Sequence, residues 1–445
     1  MTFREIAAMV LDASKADQTE VVAIQTNDSL TRFANNTIHQ NVSEANAQII
    51  VRCVLGQRIG IATSNDTRRE SLGRLAERAY KLAALAPENP EFKGLPQPRE
   101  VSAISGYDQA TATCSPYHRA ERAAVICKKA MAAGFSAAGS MRTIGTDLGV
   151  ANSLGIFCEC QTSIADLSTV ITAVNSTGWA QVSSTRLSSI DAEAVADEAV
   201  RKARIGANPM DCEPGEYTVV LDPYATSDIL SSLASVGMGA LSVQEERSWL
   251  NGRIGQKLMA ESVTIVDDGL DARGIPSAFD YEGMPRQRTP IIESGVAMGA
   301  VYDSFTAGRE FGRESTGHAT PASPAEMVGP MPVNLFLEAG SSSVDEMIGS
   351  TKLGLYITRF WYTRVVHPRD AVITGMTRDG TFVIRDGEIA YPVKSLRFTQ
   401  SYVDALKNVE AIGADPLVLW SEYLSSTTTV PAVKLAGFRF TSGTR

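Results

Sequence analysis

The sequence predicts an α+β protein of two domains. Three observations lead there. Segments of helical periodicity alternate with β-rich runs over residues 3–205. The texture then changes at Ala207-Asn208-Pro209-Met210-Asp211-Cys212-Glu213-Pro214-Gly215, where two prolines and a glycine separate a polar helix from a strand at 217–221. Beyond one helix at 226–241, the chain reads mostly as strands and turns to its C-terminus. These features place an N-terminal domain at 1–212, with helices packed on a mainly antiparallel sheet, and a β-rich domain at 213–445. A length of 445 residues suits about two domains, each able to bury a core.

The N-terminal elements follow from periodicity and turn chemistry. Phe3, Ile6, Met9, Val10 and Ala13 recur at helical spacing, so 3–15 is a helix. Residues 20–25 and 30–42 each read as a strand. The runs AQIIVRCVL and RIGIAT meet at Gly56-Gln57, which is a hairpin signal. A helix is expected at 66–85, with Leu72, Leu75, Ala76, Ala79 and Leu82 on one face and Asp66 or Thr67 as its cap. The Pro-rich stretch 87–105 is a surface connection. Ser115 followed by Pro116 starts a helix over 115–133. A β-rich stretch covers 137–184, broken by Gly145, Gly149, Gly155 and Gly178, and a helix follows at 191–205. In the second domain further short helices are expected at 344–350 and 402–412.

Composition narrows the class. Apolar residues make up 44% and charged residues 20%, as in ordinary globular proteins. The net charge is −9, from 41 basic and 50 acidic residues, with no basic run, which argues against a nucleic-acid binder. No apolar run approaches the roughly 18 residues of a membrane span. The start, MTFREIAAMVLDASKADQTE, is an amphipathic helix rather than a signal peptide. The six cysteines are scattered without a paired C-x-x-C framework, which fits a reducing, cytoplasmic setting.

The most specific stretch is 267–293, DDGLDARGIPSAFDYEGMPRQRTPIIE. Two acidic residues follow an apolar run, then come a Gly/Pro-rich loop, Asp280-Tyr281-Glu282-Gly283, an Arg-Gln-Arg-Thr turn and Ile291-Ile292-Glu293-Ser294-Gly295. Further blocks are Ser315-Thr316-Gly317-His318, Thr351-Lys352-Leu353-Gly354-Leu355-Tyr356, Asp386-Gly387-Glu388-Ile389-Ala390-Tyr391-Pro392-Val393-Lys394 and the closing 431–440. This order of blocks resembles the TldD/PmbA family, the "modulator of DNA gyrase" proteins understood as two-subunit zinc peptidases.

The resemblance implies a zinc site of a particular kind in the TldD-type subunit: a His-Glu-x-x-x-His signature on a helix and a Cys ligand near the C-terminus. Imidazole and thiolate bind zinc, the glutamate takes a proton from zinc-bound water, and an open fourth position holds that water. Histidines five apart on a regular helix would splay by about 140°, so a local bulge is needed to bring them onto one metal. This chain has only His39, His118, His318 and His367, and its last cysteine is Cys212. The motif positions fall near Ser231, Ser232 and Val236, which cannot build a zinc site. Both ligand types are missing, so the chain resembles the TldE/PmbA-type subunit, with no cofactor of its own and zinc expected in a partner.

Other candidate residues have plainer readings. Adjacent Asp267 and Asp268 on a strand point to opposite faces and do not converge on one ion, so they are read as a turn that caps backbone N–H groups. Glu282, Arg286 and Arg288 are read as an ion-pair network at a cleft or interface. His318 is a candidate substrate contact, although a lone histidine is usually solvated or hydrogen-bonded. His367, before Pro368, is a turn residue. Cys158 and Cys160 share one face of a strand and are read as a buried free-thiol pair. The chain has no G-x-S-x-G elbow, so a serine hydrolase is disfavoured.

The resemblance thus implies a metal-free subunit of an intracellular zinc metallopeptidase assembly that degrades or trims unfolded peptides. Its partner would be a TldD-type subunit, and strand addition is the expected mode of peptide binding. Two alternatives stand beside it. One is a stand-alone homodimeric binding or scaffold protein. The other is a repurposed enzyme of peptide maturation, which a perturbed carboxylate in a deep cleft would support.

Overall fold

The computed structural model describes residues 1–323, 329–421 and 426–443. Helix α1 (Phe3–Ala13) opens the chain, with Thr2 and Glu5 forming a capping box. Strands β1 (Gln18–Ala34), β2 (Thr37–Leu55) and β3 (Arg58–Ser64) follow, then α2 (Arg69–Leu85), α3 (Gln109–Ala112) and α4 (Pro116–Ala132). Next come β4 (Ser136–Asn152), β5 (Phe157–Thr172), β6 (Thr177–Ser184) and α5 (Ala192–Ile205). The six strands form one antiparallel sheet in the order β3-β2-β1-β4-β5-β6. One face is covered by helices: α1 and α2 bury Ile6, Val10, Leu72 and Ala79 at one end, and α4 and α5 bury Ile126, Ala130, Ala196 and Ala199 at the other.

From Glu216 on, the chain builds two further sheets. The elements in order are β7 (Glu216–Leu221), α6 (Pro223–Leu233), a π-helical segment (Ala234–Met238), α7 (Ala240–Gln244), β8 (Ile265–Asp268), β9 (Arg288–Glu293), β10 (Val296–Ala297), α8 (Ser304–Gly308), β11 (Asn334–Leu337) and α9 (Val344–Gly349). Then follow β12 (Leu353–His367), β13 (Val372–Arg385), β14 (Glu388–Pro392), β15 (Leu396–Ser401), α10 (Tyr402–Lys407), β16 (Val409–Ile412), β17 (Leu417–Ser421), β18 (Ser426–Val430) and β19 (Val433–Gly443). One sheet runs β10-β9-β8-β11-β18-β17 and the other β12-β7-β19-β15-β13-β14. Most pairings are antiparallel; β7–β12 and β11–β18 are parallel. Both sheets enclose one large core with α6, including Val219, Leu230, Trp249, Ile291, Phe398 and Phe438. The architecture is α+β, and among the described residues no helix is long and apolar enough to cross a membrane.

Several local expectations need correction. Residues 30–42 are not one strand. Asn35 and Asn36 take left-handed backbone, with φ of 50° and 60°, and fold the chain into the long β1–β2 hairpin. Paired left-handed residues match the twist of a two-residue hairpin turn, and asparagine tolerates them. Gly145 and Gly149 lie inside β4 and Gly178 inside β6, where no break occurs. At Gly178 a Cβ would sit 2.1 Å from the Ala199 carbonyl, so glycine here lets α5 approach the sheet. Helix α2 begins after Arg68 instead of being capped by Asp66 or Thr67; the Asp66 carboxylate accepts from the Arg68 N–H and the Ser71 hydroxyl. Leu82 is 40% exposed and Ala83 takes its place in the core. The helix expected at 402–412 ends at Lys407, because Val409–Ile412 pairs with β19.

The first sheet sits on the later two through specific polar contacts. Lys202 on α5 reaches Asp222 at the end of β7 at 2.6 Å. Arg52 on β2 reaches Glu282 at 3.0 Å. The Trp420 N–H donates to the Ser183 hydroxyl, and the Thr177 hydroxyl donates to Asp379.

Candidate functional site

The segment after β7 is where the family resemblance puts the positions of the zinc motif. Asp222 precedes α6 and Pro223 takes its first position, where a missing N–H costs nothing. The Asp222 carboxylate does not cap the helix, because Lys202 and the Tyr356 hydroxyl hold it. Tyr224, Ala225, Ile229, Leu230 and Leu233 turn one face of α6 into the core.

The single helix expected over 226–241 is interrupted. Residues Ala234–Met238 form a π turn, and α7 restarts after Gly239. The cause is local. The Trp249 indole N–H donates to the Leu233 carbonyl at 3.0 Å, and the Ser248 hydroxyl donates to the Gly237 carbonyl at 2.6 Å. Trp249 is fully buried, and a Cβ at Gly237 would lie 2.4 Å from its ring. Inserted donors of this kind divert helix carbonyls and produce a bulge. In a π turn the bonded residues are five apart, so positions at that spacing stack. The helix is therefore distorted within the span from Ser231 to Val236, with Ser231 and Ser232 in the last turn of α6 and Val236 in the π segment.

The side chains on it are of a different kind. Ser231 and Ser232 are half-buried and Val236 is buried. The exposed Ser235 donates to the Ser232 carbonyl. Ser227 shares a 2.6 Å hydroxyl contact with Thr428 of β18. Asp228, the next residue, is enclosed and accepts from the Thr363 and Tyr402 hydroxyls at 2.9 and 3.0 Å. Burial pushes its carboxyl up to about 6. Hydroxyls and a valine do not make a zinc donor set. Among the described residues, no group of three or more His, Cys, Asp or Glu side chains is placed to hold a metal ion. The donor chemistry at this helix does not fit zinc.

The acidic block at 267–293 is built into the fold's interior. Asp267 is fully buried on β8; its Oδ2 accepts the Val333 and Asn334 N–H groups at 2.7 and 2.9 Å. The N–H groups it caps are distant in sequence, not the neighbouring ones expected; the local turn is capped by Asp268, which accepts the Leu270 N–H at 3.0 Å. The Asp267 Oδ1 also meets His318 Nε2 at 2.8 Å, and His318 Nδ1 meets the Thr316 hydroxyl at 2.8 Å. The His318 ring beside it holds the Asp267 carboxyl below its usual value, against the opposing effect of burial. At 1% exposure and with both ring nitrogens engaged, His318 is an internal strut instead of the expected substrate contact.

The expected network of Glu282, Arg286 and Arg288 does not assemble. The cation facing Glu282 is Arg52, which also holds Glu20 at 2.8 Å. The other Glu282 oxygen accepts the Ser304 N–H. Arg286 is buried and donates to the Gly317 carbonyl at 2.7 Å, and Arg288 is exposed on β9. Asp280 accepts three N–H groups, from Glu282, Met284 and Ala319, and so shapes the loop. His367 is exposed beside Asp370 at a turn, as the following proline suggested. Cys158 and Cys160 are free and half-buried, and burial raises the Cys160 thiol to about 11.

Arg52, Lys202, Asp228 and Trp249 were not anticipated as site residues. Arg52 sits at an ordinary strand position whose partner lies 230 residues away. Trp249 follows the helix it deforms, so a helical periodicity search passes over it.

The buried carboxylates give the fold a definite pH response. Burial raises Asp228 to about 6, and burial together with the Glu282 charge raises Asp280 to about 7. Burial and Glu282 likewise raise Asp303. A carboxyl with a raised folded pKa binds its proton more tightly in the folded chain, so stability falls as pH climbs from the unfolded value through the folded one. The Asp267 contribution has the opposite sign and is lost only on acidification below its unfolded value of 3.8. Urea denaturation should therefore show the protein more stable at about pH 5.5 than at about pH 8, by roughly 1–3 kcal/mol. Equal stability at both would contradict the assigned burial of these groups.

Comparisons with known proteins bear on the family and the fold. The PmbA/TldA metallopeptidase C-terminal domain matches residues 214–442, and PmbA/TldA metallopeptidase domain 1 matches residues 19–83. A metalloprotease of Methanothermobacter thermautotrophicus is 30% identical over 49% of this chain and 46% of its own length. A metalloprotease TldD homolog of Haemophilus influenzae is 28% identical over 49% of this chain and 45% of its own. The matched regions thus span about half the length of these relatives. The structure of TldE from Thermococcus kodakarensis superposes with a TM-score of 0.89 at 19% identity, covering 99% of this chain and 100% of that one, which shows a shared fold. With its C-terminal family domain matched over residues 214–442, the chain belongs to the TldD/PmbA metallopeptidase family.

Proposed function

We infer that this chain is the metal-free, TldE/PmbA-like subunit of a cytoplasmic zinc metallopeptidase assembly that acts on unfolded peptides. The observation that carries the reading is the helix at α6. It runs into a π turn at Ala234–Met238, within the span that a five-residue ligand pair would occupy, yet the motif positions carry Ser231, Ser232 and Val236. In this reading a partner with the His-Glu-x-x-x-His signature supplies the zinc, the carboxylate base and the activated water.

The contribution of this chain is a rigid wall. Buried pairs from Arg52 to Glu282 and from Lys202 to Asp222 tie its sheets together, so the surface around α6 can close a shared cavity and limit entry to extended chains. The net charge of −9 makes a nucleic-acid role for this subunit disfavoured.

Metal analysis of the purified chain tests this. Zinc is expected far below one per chain, with no hydrolysis of an unstructured peptide by the chain alone. About one tightly held zinc per chain would overturn the reading.

A further inference from the structure

Strand β5 is paired along one side by β4 from Phe157 onward. On its other side β6 covers only Ala165 to Thr172, so the first half of β5 is a sheet edge. The inner end of that edge already holds extended chain. Gly106, in the irregular stretch before α3, bridges Thr162 in parallel, and the Ser163 N–H donates to its carbonyl at 3.0 Å. Past that bridge no further strand covers Phe157 to Gln161 among the described residues. Because Ser163 directs its N–H outward, alternation turns the backbone groups of Gln161, Glu159 and Phe157 the same way.

A groove of about 930 Å³ runs beside this edge. Its flanks differ, since successive strand side chains leave opposite faces. Cys158 and Cys160, with Leu148 across from Cys160 and Phe279 from the loop after β8, make one flank apolar. Glu159 and Gln161, with Asp147 across from Gln161, make the inner part of the other polar and acidic, while Phe157, stacked on Phe3, closes its outer end. No lysine, arginine or histidine lines the groove among the described residues; Arg4 stacks on the Phe157 ring at its end, 4.4 Å away.

We propose that this edge binds an extended polypeptide by strand addition, one whose side chains alternate apolar and basic. The chain's own Gly106 segment shows that the edge accepts a strand. The two flanks set the alternation, and Asp147 and Glu159 select the sign of charge. The groove lies on the N-terminal sheet, away from α6, and is a second peptide-holding surface. The source of the segment, unfolded peptide substrate, rests on the function inferred above.

Hydrogen exchange on the isolated chain tests the proposal, with a short synthetic peptide of alternating valine and lysine as the probe. The Glu159 and Gln161 amides should slow by about 10-fold or more at saturation, because strand addition protects them directly. Alkylation of Cys158 and Cys160 should slow in parallel. Glu159→Pro, which deletes an edge N–H, should weaken binding about 10-fold, and Glu159→Ala only a few-fold. Unchanged exchange at these amides, protection confined to the open edge of β2 at 37–48, or equal weakening by both substitutions would overturn the proposal. Since no partner subunit is present, its failure leaves the metallopeptidase reading untouched, and loss of that reading leaves this result standing.

Discussion

Replacing Arg52 by methionine is expected to remove about 3–5 kcal/mol of folding stability near neutral pH, the largest single effect the structure predicts. Arg52 is the one cation shared by Glu20 and Glu282, and the three side chains are 11%, 2% and 8% exposed. Methionine matches the length of the arginine stem but leaves two carboxylates buried without a counter-charge. Burial already raises Glu20 above its ordinary value while Arg52 pulls it down. Without the guanidinium the Glu20 carboxyl should take up a proton more readily. The defect should therefore shrink as pH falls toward about 5. Urea denaturation at the two pH values checks both parts, and a small or pH-independent loss would show that the pair adds little to the contact between the first sheet and the later ones.

A second large loss is expected for Lys202→Met, again about 3–5 kcal/mol. The Lys202 side chain is fully buried, with its ammonium 2.6 Å from Asp222 and 2.5 Å from Glu198, over the Tyr224 ring at 4.5 Å. Asp222 would keep only the Tyr356 hydroxyl, 3.0 Å away. The substitution acts at the entry to α6, so limited proteolysis should open the chain there first. Adding Asp222→Asn removes the stranded charge and should restore part of the loss, which separates an ion-pair effect from simple misfit. If the double variant is no more stable than the single one, the ion pair is not what holds α5 to β7.

Much of this fold was legible from local chemistry. The capped start of α4 at Ser115 and Pro116, the β2–β3 turn at Gly56-Gln57 and the strand β7 lie where spacing and turn residues put them. The errors share a cause. Asn35-Asn36 was passed over inside a polar alternating run, and Val409–Ile412 prolonged a helical pattern that tertiary pairing ended. The π turn was anticipated as a requirement of ligand spacing but not at this chain's own residues, since Trp249 and Ser248, which stabilise it, lie beyond the helix. Glu282 was nominated for an ion-pair network at a cleft or interface, but with neighbours in sequence as partners, where the structure supplies Arg52. Local spacing can nominate a charged residue; it cannot say which distant strand supplies the counter-ion.

The most direct test of the central claim is recovery of the tagged chain from its native host, with bound chains identified and quantified by mass spectrometry. A near-equal amount of a relative carrying the His-Glu-x-x-x-His signature is the predicted result. Recovery of this chain with itself alone would contradict it, and would make a homodimeric binding protein or a repurposed enzyme the better account.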